Sequence, residues 1–473
     1  MLTDNLRESI KAYGLRDDLR GTLAELMDVY YTRQRRNAML SDYYDGNVMV
    51  KELGIDVLPD SIKGSISLSC DWPRKAVTAL ADRSKFDGFV MPGRPNDTEL
   101  NRLVRDCNII SAYSRNLHSQ LKHGCMFATV GLAENGRPYV RFHSAENGAA
   151  LWDDTHERIA CGFVLSNYKR TDYSGKRYVP TAIYLHTPGE VTELVRLNRS
   201  EWAAATSATP LDRPMMEAFR YAPTGEHPLG TSRITKQVID LTDDVLRVRL
   251  YMAVSGALFA APQKYLLGLS DEQYDALSKS KWSTYIGSVV MSTTDDNGGK
   301  PTFGQLSPVS PQPYIDIIRN DAALFSGATG VPLHSLGIIH DNPTSAEAIN
   351  AATSDLCIMA EKLNESNRRS LEAVAVMAMA VAAGKPIDGL DESQQAVEAH
   401  FKSPNVSSIA AQADAAVKIA SVVPGFAETP VFFEMIGFDE ATIARIESYK
   451  ARENGLAALR DALNGGTGDG IVG

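Results

Sequence analysis

The chain has 473 residues, of which 44% are hydrophobic, 22% charged and 8% aromatic, a composition that suits about three globular units with their own cores. No unbroken apolar run approaches the roughly 20 residues of a membrane helix, and mean hydropathy is −0.19. Lys and Arg total 48 against 58 Asp and Glu, for a net charge of −10, which argues against a protein that grips DNA by neutralising phosphates.

The first twenty residues carry Asp4, Glu8, Asp17 and Asp18 without an apolar core, so no signal peptide is expected. Thr22-Leu-Ala-Glu25 has the capping-box pattern and predicts a helix that stops at Asp45-Gly46, where glycine supplies a left-handed cap. A short helix is expected after Asp71, with Pro73 in its first turn, and a longer one from Asp97 to Lys122 with Gly124 as its stop. Apolar runs at Met126–Leu132 and Tyr139–His143 flank Glu134-Asn-Gly-Arg137, a hairpin signal. Ile159–Lys169, Tyr178–His186 and Val191–Leu197 read as further strands. Residues 1–200 thus form one α+β unit, followed by a loop at 203–230.

Ile234, Val238, Leu241, Val245, Val248, Met252, Ser255 and Phe259 alternate spacings of four and three. This predicts a single-faced helix suited to lengthwise packing on another helix. Its other face carries Arg233, Lys236, Asp240, Asp243, Asp244, Arg247 and Arg249. Residues 263–312 read as a small β-containing insertion, with a strand at Trp282–Ser292, a turn at 295–299 and a return at Thr302–Leu306. A second helix spans Tyr314–Ser326, so the insertion projects from the tip of a helical hairpin. A loop at Gly327–Asn342 holds the charge-poor stretch Leu336–His340. A capping box at Thr344–Glu347 opens a helix of nearly forty residues that ends at Gly384-Lys-Pro386. Helices at Ile409–Val422, Thr429–Met435 and Glu440–Glu453 precede a glycine-rich tail expected to be disordered.

Catalytic and metal patterns are missing: the chain has no phosphate-binding Gly-rich loop with Lys, no His-Glu-x-x-His, no Cys-x-x-Cys and no Gly-x-Ser-x-Gly. Cys70, Cys107, Cys125, Cys161 and Cys357 read as buried thiols. His118 and His123 read as partly exposed helix residues, and Arg33, Arg35 and Arg36 as a solvated or salt-bridging face. The expectation is a structural protein with no catalytic residues, metal or cofactor. The long helical stripe calls for lateral packing of identical subunits, in a closed ring or a filament.

The segment Gly327–Gly337, with Asn342-Pro-Thr-Ser-Ala-Glu-Ala348 and the long helix after it, resembles the central signature of tailed-bacteriophage portal proteins. Further matches follow the same order: Tyr43–Gly46, Trp72–Gly88, His123-Gly124, Phe401–Pro404, Ala413–Lys418 and Ile436–Phe438. The insertion at 263–312 has no matching motif.

The resemblance implies a phage portal architecture: an α/β wing (1–230), a helical-hairpin stem (231–262 and 313–329), a small β-containing clip (263–312), and a tunnel-loop region (330–343). A long wing-spanning helix (344–384), a helical crown (385–463) and a disordered tail (464–473) complete it. It implies a dodecameric ring at one capsid vertex, in the virion and in host cytoplasm during assembly. Double-stranded DNA would be packaged and ejected through the ring without sequence specificity. The implied partners are the terminase large subunit, head-completion or adaptor proteins, and the major capsid and scaffolding proteins, with no membrane. Gly337, Ile338, Ile339, His340, Asp341 and Asn342 would face DNA. Lys236, Asp240, Asp243, Asp244 and Arg247 are the stem candidates for lining the channel, the alternative for Lys236 and Arg247 being salt bridges between subunits. An acidic conduit with an uncharged loop tip lets DNA slide. The alternative is another capsid or tail component that forms an open array.

Overall fold

The computed structural model describes residues 11–48, 68–93, 98–170, 178–198, 201–259, 264–278, 290–293, 301–305, 310–338, 346–405, 409–438 and 440–465. These fall into two compact units, divided between Pro404 and Asn405.

The first unit opens with strand β1 (Lys11–Tyr13) and helix α1 (Asp17–Asp45). The helix starts five residues before the predicted capping box. Asp17 and Asp18 occupy its first turn, where the helix dipole favours negative charge, and Thr22 Oγ1 instead donates back to the Asp18 carbonyl at 3.2 Å. Gly46 ends it in the left-handed region at φ 71°, as expected. Helix α2 (Trp72–Ala81) carries Pro73 in its first turn and leads to strand β2 (Lys85–Val90).

The single helix predicted over Asp97–Lys122 is two helices, α3 (Thr98–Asp106) and α4 (Ile109–His123). Asn108, at φ 50°, breaks it, as a short amide side chain tolerates that conformation better than most. Strands β3 (Cys125–Leu132) and β4 (Pro138–Ser144) form the Asn-Gly hairpin, with Asn135 Oδ1 accepting from the Arg137 amide at 3.1 Å. Then come β5 (Gly148–Asp153), β6 (Arg158–Arg170), β7 (Tyr178–Thr187) and β8 (Glu190–Arg196). The predicted loop at 203–230 instead contains β9 (Glu201–Ala208) and β10 (Met216–Arg220).

Two sheets result. One has the order β1-β9-β8-β7-β6-β5, antiparallel except where β1 joins β9 in parallel; the other is β10-β3-β4. Alternation along the larger sheet sends Cys161, Phe163, Leu165, Ile183, Leu185 and Leu194 toward α1.

Helix α5 (Lys236–Phe259) follows. The insertion contains β11 (Lys264–Leu269), α6 (Asp271–Ser278), β12 (Val290–Thr293) and β13 (Thr302–Gln305). The unpredicted β11 is the central strand, so the expected return at β13 pairs with β11, not with β12. Residues 282–289 of the predicted strand and the turn at 295–299 lie outside the described residues. Helix α7 (Gln312–Thr329) packs along α5 and is capped by Gly330 at φ 68°. Helix α8 (Ala346–Ala383) runs over β10, β3 and β4, and its second half is buried as predicted, from Leu371 through Val381. The predicted capping residues Thr344 and Ser345 lie outside the described residues.

A short helix α9 (Glu392–Gln395) leads to β14 (Glu398–Lys402), which pairs antiparallel with β2. The main core gathers α2, α4, α8, the smaller sheet, the first half of α5 and the end of α7. The second unit consists of α10 (Ile409–Val422), α11 (Pro430–Ile436) and α12 (Glu440–Gly465), the last running past the predicted end at Glu453. Residues 466–473 of the expected tail lie outside the described residues.

Candidate functional site

The elements that sequence reasoning ties to function are the α5/α7 pair and the loop between α7 and α8. The first turns of the predicted α5 stripe are covered: Ile234, Val238, Leu241 and Val245 are buried. Val248, Met252 and Ser255 are only half-buried, so cover within the chain fades along the helix. Tyr251 on α5 and Ile317 and Leu324 on α7 are exposed.

The charged stem candidates largely neutralise one another. Lys236 Nζ meets Asp240 Oδ2 at 2.6 Å, and Arg247 Nη1 meets Asp244 Oδ1 at 2.6 Å. Both pairs are exposed at i,i+4 and i,i+3 spacing, where such bridges contribute only a few tenths of a kcal/mol. Asp243 turns toward α1 and accepts the Tyr43 hydroxyl at 2.9 and 3.0 Å. Burial raises its pKa, and the Tyr43 bond partly offsets that. On α7, buried Asp321 leaves Oδ2 without a hydrogen-bond partner, and its pKa is raised by burial and by the charge of Asp244.

The root of the pair holds a residue that the sequence placed on the polar face. Arg233 is 5% exposed, and its guanidinium donates to Ala76 O at 2.6 Å, Tyr221 Oη at 2.8 Å and Thr329 O at 2.5 Å. It sits at the C-terminus of α7, where the helix dipole favours a cation. The neighbouring Ser232 hydroxyl donates to Lys122 O at 2.6 Å and accepts from the Ile234 amide at 3.0 Å. Nothing local marks Arg233 as buried, since its acceptors come from distant parts of the chain.

Of the loop candidates, Gly337 is exposed at φ 82° and Ile338 is half-buried. Ile338 and Leu336 line a cleft with Cys70, Trp72, Val245 and Ile318. The root of the loop is therefore held against α2, α5 and α7. Ile339, His340, Asp341 and Asn342 lie outside the described residues.

His118 is half-buried and bonds Tyr44 Oη through Nδ1 at 3.2 Å. The expectation of partial exposure fails for His123, whose side chain is fully buried, 3.6 Å from Glu146 Oε2. Its place at the end of α4, facing the first turn after β4, encloses it. The five cysteines are free thiols, three buried and two half-buried. Among the described residues no three His, Cys, Asp or Glu gather as a metal site, and no helix is long and apolar enough to cross a membrane.

The frame of the first unit is thus a mixed α+β body, a long helix crossing its smaller sheet and a helix pair with a small sheet between its members in sequence. The sequence profile of the phage portal proteins of SPP1 Gp6-like type matches residues 25–426, and the chain belongs to that family. The portal protein of Mycobacterium phage L5 is 23% identical over 416 residues, 84% of this chain and 81% of the relative. That of Mycobacterium phage D29 is 22% identical over 413 residues, with the same coverage. Among solved structures, the neck of a native gene transfer agent particle computed with C12 symmetry aligns over 78% of this chain and 89% of its own, at 14% identity and TM-score 0.41. A chain from the native gene transfer agent virion aligns at TM-score 0.40 and 14% identity, with the same coverage. The chain has a structural portal role in a phage particle.

Proposed function

We propose that twelve copies of the chain close into a ring at one capsid vertex, a conduit for packaging and ejecting double-stranded DNA. The observation that carries this reading is the α5/α7 pair, two helices packed lengthwise with a separate three-stranded sheet between them in sequence. Residues 231–262 and 313–329 are read as the stem, 263–312 as the clip, 1–230 as the wing and 344–384 as the wing-spanning helix. Residues 385–463 are read as the crown, and β14 ties its first part to β2. The loop 330–343 carries Gly337, Ile338, Ile339, His340, Asp341 and Asn342 toward DNA. The channel-lining set is Lys236, Asp240, Asp243, Asp244 and Arg247, whose paired charges leave only weak attraction for phosphate.

The clip is the docking surface for the terminase large subunit and later for head-completion proteins, while capsid and scaffolding proteins surround the wing. The ring assembles in the host cytoplasm and stays in the virion, as a structural part and not as an enzyme. Negative-stain electron microscopy of the purified protein tests this: toothed closed rings with a central channel are expected. Open arrays, or particles that stay monomeric at high concentration, overturn it. Ile339→Asp in an assembling ring should leave the ring intact and reduce packaged DNA; loss of the ring itself would refute the loop's placement.

A further inference from the structure

A groove of about 660 Å³ runs between the middle of α8 and the side formed by β10 and the β5–β6 turn. Its floor is rigid. Ser366 and Ser370 on α8 donate to the carbonyls of Arg220 and Ala218 on β10 at 3.4 and 3.0 Å. Arg220 lies 4.1 Å from the Trp152 ring centre and donates to Pro228 O at 3.2 Å. Arg213 is paired to buried Glu217, yet its Nε is buried with no acceptor.

Arg158, Lys362 and Arg369 complete the cationic lining. Among the described residues, Arg158, Arg220, Lys362 and Arg369 make no direct ion pair. Five cations therefore face three carboxylates (Glu157, Glu217 and Glu365) in a chain of net charge −10.

We infer that this groove is a socket for carboxylates on a second copy of the chain, a contact between neighbouring subunits. The inference rests on the ring reading above. Charge complementarity selects the occupant: a net-acidic neighbour presents carboxylates, and arginine forks bind them in paired hydrogen bonds. Exposed Glu157 and Glu365 stand among the cations. They would repel a DNA backbone, whose charges are all negative and about 1.7 Å apart along the axis, whereas a protein surface carries both signs and can register against them.

The test is the double variant Lys362→Glu with Arg369→Glu, whose side chains are exposed, with circular dichroism as the folding check. Mass photometry should show the protein concentration for half-assembly rising at least tenfold, with a smaller rise for the neutral pair Lys362→Gln and Arg369→Gln. Salt should weaken wild-type assembly in the same direction. Folded variants that form rings at the wild-type concentration overturn the inference and leave the ring reading standing. Intact variant rings that have lost binding to a labelled DNA duplex overturn it in favour of a nucleic-acid groove. A wild-type chain that never forms rings removes the ring reading, and the inference with it.

Discussion

The Arg233 guanidinium donates to the Thr329 carbonyl at 2.5 Å, joining the segment that enters α5 to the last turn of α7. Two further acceptors, Ala76 O and Tyr221 Oη, fix the same side chain, so one buried cation ties the entry to α5 and the end of α7 to α2 and to the end of β10. Arg233→Ala would take this donor from the Thr329 carbonyl and the Tyr221 hydroxyl, remove a second bond from the mid-helix Ala76 carbonyl and open a cavity, a cost of about 3 kcal/mol. Arg233→Lys keeps the charge but loses the fork and should recover less than half of that. Chemical denaturation of both variants checks the order, and a lysine variant as stable as wild type would sink the geometric account.

Gly124 and Gly230 meet at the end of α4 under the same constraint. Both have left-handed backbones, at φ 102° and 90°, and a Cβ on Gly230 would lie 2.4 Å from Gly124 O and 2.6 Å from Tyr221 O. Neither neighbour is a flexible side-chain end that can yield. Gly230→Ala should destabilise by about 2–4 kcal/mol, against under 1 kcal/mol for Gly225→Ala, where nothing lies nearby. Equal melting temperatures for the two variants would contradict this.

The parts of the fold that local chemistry decides were legible in the sequence. Asn135-Gly136 specifies its hairpin, and the apolar repeat from Leu356 to Val381 fixes a long helix up to the glycine cap at Gly384. Elements held by distant neighbours were not. Strand β9 is mostly Ala, Thr and Ser and looks like a loop, yet β8 and β1 supply its hydrogen bonds on both sides. The helix break at Asn108 interrupts an apolar stripe that reads as continuous. Of the candidate site, the paired helices were legible in the sequence; Ile338, expected at a DNA-facing loop tip, lies half-buried in a cleft with Trp72, Val245 and Ile318. Sequence reasoning missed the burial of Arg233 and the cationic groove, because 157 residues separate Arg233 from Ala76, and Arg158, Arg213 and Lys362 are brought together only by folding.

Acid should weaken the first unit before most carboxylates titrate. His186 and His143 line the cleft between the two sheets, and burial lowers their pKa to about 3 and about 4, against the ordinary 6.5. Near pH 6 the unfolded chain takes up protons that the folded chain refuses. Their contribution is complete above pH 6.5 and falls away as pH drops toward the folded values, by about 2 kcal/mol for one histidine at pH 5. Glu146, lowered to about 2 in the fold from 4.5, adds its loss only below that window. Melting temperature should therefore fall between pH 7.5 and 5.0, and His186→Gln should narrow the drop. An unchanged drop would assign the acid sensitivity elsewhere.

Asp321 leads to a prediction of opposite sign. Its Oδ2 is buried without a partner, and the nearby Asp244 carboxylate adds repulsion. Both effects raise its pKa above that in the unfolded chain, so its ionised form at neutral pH opposes folding, and the penalty appears as pH rises through the carboxylate range. Asp321→Asn keeps the shape, removes the charge and offers a donor toward Asp244. It should stabilise the monomeric chain by up to about 1 kcal/mol. Asp321→Leu, which removes the charge without a donor, should gain less. Differential scanning fluorimetry at pH 7.5, at a concentration that keeps every variant monomeric, ranks the three. A lower melting temperature for Asp321→Asn than for wild type would mean that the carboxylate has a favourable partner within its own chain.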